Sequence, residues 1–225
     1  MGAVLAWPQT RDADTPIPAA DAAHVGIDAL LDGRRLWKGR STRLAPAAHP
    51  TGHAALDAVL PGGGWPAAAV SEILHAVEGV GEISLAWPAL ARLSQAGERI
   101  VLVAPPHLPF APAWQASGIV LERLHRVNAA TPKDALWAAE QCLRSGSCGA
   151  VLGWFRQADD RALRRLQIAA ESGRTLALVW RPMPTASLPS PAALRIALDG
   201  ASSTLRVLKC RGGMPPTQPI AFTPH

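Results

Sequence analysis

Five short apolar runs recur along this chain: Val70 to Leu74, Ile100 to Ala104, Leu124 to Val127, Ala150 to Trp154 and Leu176 to Trp180. Each gap between them carries a helical pattern. Strands joined by helices pair in parallel, and near-continuous apolar runs suit strands covered on both faces. The chain is therefore predicted to be an α/β protein with a mainly parallel, twisted sheet flanked by helices. Connecting helices are expected over Gly81 to Ala96, around Trp114, over Pro132 to Arg144 and over Arg161 to Ser172. Beyond Pro191 the pattern changes. Leu194 to Leu198 and Thr204 to Leu208 alternate with period two, which predicts antiparallel strands at the C-terminal edge. Upstream, Thr51 is placed to cap a short helix through Leu56 and Leu60, closed by Pro61-Gly62-Gly63-Gly64. The expected organisation is a disordered arm over 1–20, a helix plus linker over 21–50, and a core over 51–225.

Composition narrows the class. Hydrophobic residues make up 48% and charged residues 17%, which suits a packed core rather than disorder. No apolar stretch approaches the roughly 18 to 20 residues that span a bilayer. The opening Met1 to Pro8 lacks a basic n-region, so a cytoplasmic location is expected. Cys142, Cys148 and Cys210 lack metal-ligand spacing and read as buried thiols, with no metal implied. The net charge is +5, but the positive residues are scattered, with lysine only at Lys38, Lys133 and Lys209. Such a surface supports weak, non-specific DNA contact at most.

The most informative segment is Thr51-Gly52-His53-Ala54-Ala55-Leu56-Asp57-Ala58-Val59-Leu60, then Gly62-Gly63-Gly64, then Val70-Ser71-Glu72-Ile73-Leu74. It resembles the entry to the nucleotide-binding core of RecA-family recombinases, which implies a RecA-like core. In that family the strand runs into a phosphate-binding loop, here His75 to Leu85. Such a loop needs a nest of backbone N–H groups, a lysine and a hydroxyl. Gly81 still suits the turn. Glu82 stands where the lysine belongs and Ile83 where the hydroxyl belongs. A carboxylate in a first helical turn is favoured by about 0.3 to 1 kcal/mol and can occupy the anion site itself. Two further positions agree: Ala104-Pro105-Pro106-His107 holds no carboxylate, and Trp154 replaces the closing aspartate of the fourth strand. The loops after Trp154 and Trp180, DNA-binding in the recombinases, are short. The implied protein is not an enzyme and carries no cofactor.

Within that superfamily, the stretches Leu36 to Arg40, Leu60 to Pro66, Val101 to Pro109 and Asp134 to Gln141 resemble ImuA, a family of RecA-like accessory proteins in translesion DNA synthesis. The resemblance implies a non-catalytic adaptor of the SOS response to DNA damage. Its partners would be an ImuB-like inactive Y-family polymerase homologue, an error-prone DnaE-type polymerase and RecA, with a homo-oligomer as a further arrangement. The alternative is a SulA-like cell-division inhibitor binding FtsZ.

For contact with a partner, Ile27, Leu30 and Leu31 form an apolar stripe and Trp37 adds an aromatic anchor; so few apolar groups need a surface to hold a helix. Trp87, Trp114, Trp137, Trp154 and Trp180 fall inside expected elements and read as core. His75 and His107 lack companions for metal binding or catalysis. Arg161, Arg164 and Arg165 read as a solvated helix face.

Overall fold

The computed structural model describes residues 49–79, 81–200 and 203–223. Ile27, Leu30, Leu31 and Trp37, with the arm expected over 1–20 and all but the last two residues of the helix plus linker expected over 21–50, lie outside them. The described elements are α1 (Ala54–Val59), β1 (Val70–His75), a 3-10 turn (Glu82–Leu85), α2 (Trp87–Gln95), β2 (Ile100–Val103), α3 (Ala111–Ala116), β3 (Leu124–Val127), α4 (Pro132–Arg144), β4 (Ala150–Trp154) and α5 (Asp160–Gly173). There follow β5 (Leu176–Pro182), a second 3-10 turn (Met183–Ser187), β6 (Leu194–Asp199), β7 (Thr204–Cys210) and β8 (Ile220–Ala221).

The strands form one sheet in the order β3-β2-β4-β5-β1-β6-β7-β8. Strands β1 to β6 pair in parallel; β7 and β8 are antiparallel at the C-terminal edge. The fold is thus mixed α/β, as the alternation of apolar runs requires. The pleat sends neighbours to opposite faces. On β5, Leu176, Leu178 and Trp180 join Leu85, Leu90 and Trp114 in one core layer, while Ala177 and Val179 join Leu143, Leu163 and Leu166 of α4 and α5 in the other.

Local chemistry accounts for the element ends. Thr131 caps α4 by accepting from the Asp134 N–H, with Pro132 in the first turn where no N–H is needed. Asp159 caps α5 by accepting from the Ala162 N–H at 2.7 Å. Two expectations are corrected. Thr51 is not the N-cap of α1; His53 stands there. Thr51 instead donates its N–H and its hydroxyl to the Asp57 carboxylate at 2.8 and 2.7 Å, because Asp57 reaches back over the turn at Gly52. Likewise the single helix expected over Gly81 to Ala96 is divided into the first 3-10 turn and α2. Pro88 has no N–H to donate into the preceding turn, so the helix restarts at Trp87.

Candidate functional site

A buried ion cluster ties together β5, β1 and β6, neighbouring strands in the middle of the sheet. Glu72 on β1 is fully buried. Its two carboxylate oxygens accept from Arg181 Nη1 of β5 at 2.7 Å and Arg195 Nε of β6 at 2.6 Å. Both arginines are buried as well. The register Glu72↔Arg195 and the neighbouring Leu74↔Arg181 put the three side chains on one face of the sheet. One carboxylate cannot balance two guanidinium groups, and backbone carbonyls supply the remainder. Arg181 donates to Ala158 O, and Arg195 donates to Thr185 O, Ala186 O and Leu188 O. The short segment after Trp180, residues 181–190, is therefore the end of β5 followed by a turn fastened to the sheet. The cluster was missed in the sequence. Its signal was present: Glu72, Arg181 and Arg195 are charges of complementary sign inside mainly apolar strand segments.

Beside it, the loop after β1 has closed on itself. Gly79 and Gly81 both adopt positive φ, +80° and +82°. The Glu82 side chain turns inward, 7% exposed, and its Oε1 accepts from the Gly79 N–H at 3.3 Å. A carboxylate thus takes a backbone donor that a phosphate would need, as the sequence allows. Glu82 is therefore not a solvated helix residue. Glu82 Oε2 is buried without a partner among the described residues. Ser84 donates to Gly81 O at 2.7 Å and stiffens the turn, and Ile83 is half-buried against the core.

At the end of β4, Trp154 stacks on Trp180 of β5, with ring centroids 5.1 Å apart and planes 16° from parallel. The two are directly paired in register. An indole pair therefore closes the ends of β4 and β5, and such pairs contribute about 0.5–1.5 kcal/mol beyond burial. His75 is buried, its Nδ1 3.2 Å from Val77 O, and His107 is exposed on the loop after β2. Trp114 and Trp180 are buried; Trp87 and Trp154 pack partly against the core. Trp137 is the correction: it is 60% exposed, because α4 buries Ala135, Ala139 and Leu143 and turns position 137 outward. Arg161, Arg164 and Arg165 are exposed as expected. Cys148 and Cys210 are buried and Cys142 half-buried. Burial pushes the Cys142 and Cys210 thiols above their ordinary value, against nucleophilic use.

This geometry predicts that calorimetric titration with ATP and Mg²⁺ will show no micromolar binding. Glu82→Lys alone will not restore it, since Ile83 and Trp154 remain. Turnover above background by either protein would contradict the reading.

A family model described as "Cell division inhibitor SulA" matches residues 68–177, from the approach to β1 into the start of β5. The SulA protein of Edwardsiella piscicida is 30% identical over 95 residues, 42% of this chain and 56% of that protein. That of Klebsiella aerogenes is 30% identical over 107 residues, 47% of this chain and 63% of that protein. The chain thus spans less than two thirds of the length of these relatives. The crystal structure of SulA from Pseudomonas aeruginosa superposes with a TM-score of 0.43 and 26% identity, covering 50% of this chain and 97% of that one.

These matches overturn the translesion reading, and with it the SOS repair role beside an ImuB-like protein, a DnaE-type polymerase and RecA. The physical reason lies in what carried the resemblance. Val101 to Val103 is a core strand, and Asp134 to Gln141 lies inside α4 with Ala135 and Ala139 packed inward. Those stretches report the scaffold, which different functions can share. Over its central half, this chain is similar to SulA cell division inhibitors.

Proposed function

We propose that this protein is a non-catalytic cell-division inhibitor of the SulA type, built on a RecA-like core and acting by binding FtsZ. The observation that carries the reading is the match of the family model to residues 68–177. That stretch contains β1, the closed loop around Glu82 and the Trp154 end of β4. The site geometry supports binding rather than chemistry. In the loop after β1 the Gly79 N–H is taken by the protein's own Glu82 carboxylate, and the most buried charges among the described residues are consumed in holding three strands together. No helix among the described residues is long and apolar enough to cross a membrane.

The reading predicts a phenotype. Controlled expression in a rod-shaped bacterium will give long, undivided cells in which DNA replication continues, scored by microscopy with a DNA stain. Cells that divide at normal length while the protein accumulates in soluble form would contradict it.

A further inference from the structure

One cavity among the described residues is lined by neither the Glu72 cluster nor Glu82. It holds about 920 Å³ between the first turns of α4 and α5 and the carboxyl ends of β2 and β4. Its lining includes Leu136, Trp154 and several alanines, while Lys133, Arg156, Arg161 and Arg165 stand around it against one acid, Asp159. Arg156 is paired with Glu78 and Arg165 with Glu140. Asp159 is occupied as the cap of α5. Lys133 and Arg161 make no ion pair among the described residues and are exposed. The cleft does not stop at the sheet edge. A smaller recess of about 120 Å³ runs along the α4–α5 seam, shares Lys133, Leu136 and Arg165 with it, and ends at the exposed Trp137.

Charge, wall chemistry and shape together select the occupant. A compact anion such as phosphate needs donors that converge from buried positions, and the cations here are solvated and spread along a rim. An elongated apolar track with a positive border instead matches a chain that alternates apolar and acidic side chains. We propose that this cleft binds an acidic, apolar-containing peptide segment of a partner protein. Its apolar side chains rest on Leu136, Trp154 and Trp137, and its carboxylates face Lys133 and Arg161. This rests on the cleft alone and not on the identity of the division partner.

The test uses the full chain and a fluorescein-labelled peptide alternating Glu with Leu and Phe, read by anisotropy. A matched peptide with Lys for Glu serves as one control, and inorganic phosphate and ATP as competitors. Saturable binding of the acidic peptide is expected, with no binding of the lysine peptide. The double variant Lys133→Glu, Arg161→Glu should weaken binding at least tenfold, and Trp137→Ala should weaken it too. The melting temperature should stay unchanged in both, since all three side chains are exposed. Failure of the acidic peptide to bind, equal binding of the lysine peptide, or affinity untouched in the double variant would overturn the proposal. So would displacement of the peptide by phosphate or ATP at micromolar levels, which would make the cleft a small-anion pocket. No division protein enters this assay, so its failure is distinct from failure of the inhibitor reading.

Discussion

Replacing Glu72 by Ala will lower the stability of the protein by about 3–5 kcal/mol, because it strands two guanidinium groups in the interior. Arg181 and Arg195 are 2% and 7% exposed and hydrogen-bond no other acid among the described residues. Domains of this kind hold about 5–15 kcal/mol in total, so the loss is a large fraction of the whole. Equilibrium urea unfolding will show it as a midpoint moved to lower denaturant at similar slope. A loss below about 1 kcal/mol would show that the arginines escape to solvent. The companion experiment replaces all three residues with apolar ones, Glu72→Leu, Arg181→Met and Arg195→Met. That variant should recover much of the loss, since removing a buried cluster as a unit is far less costly than breaking it.

The second large effect is steric. Gly173 ends α5 where that helix meets the end of α4. A Cβ built on it would lie 1.8 Å from Leu143 O and 2.9 Å from Leu143 C. Those are backbone atoms, so no rotamer change can relieve the overlap. Thr175 locks the same junction, its hydroxyl lying 3.1 Å from both Cys148 O and Gly173 O. Gly173→Ala will therefore destabilise by about 3 kcal/mol or more, the upper end for overpacking. The helical preference of Ala over Gly, roughly 0.5–1 kcal/mol, is too small to offset this. Gly97 is the control. Its φ is +86° but nothing lies within 4 Å of the added Cβ, so Gly97→Ala should cost only the backbone strain, about 1–2 kcal/mol. Thermal unfolding of the two variants in parallel reads the difference; similar losses would contradict the steric account.

Much of the fold was legible because local and tertiary signals agree. Helix α4 follows from Thr131, Pro132 and its inward alanines, and the edge strands follow from alternation around residues 194–208. Two features were not legible. The break before α2 needed the consequence of Pro88 to be followed one turn back. The outward face of Trp137 depends on which side of α4 meets the sheet. Of the site, the lost loop chemistry at Glu82, Ile83 and Trp154 was read from residue types. The Glu72 cluster was missed because it joins residues more than a hundred positions apart. The partner was misread for a related reason: the telling stretches serve the scaffold, and scaffold residues carry no partner's name.

The most direct test of the account is FtsZ assembly in GTP, followed by sedimentation with increasing amounts of the purified full chain and no ATP present. The account predicts that the pelleted polymer and the GTP turnover fall together as the chain is added, and that ATP changes neither. Undiminished polymer at several-fold excess of the chain, with no complex detected between the two proteins, would contradict it.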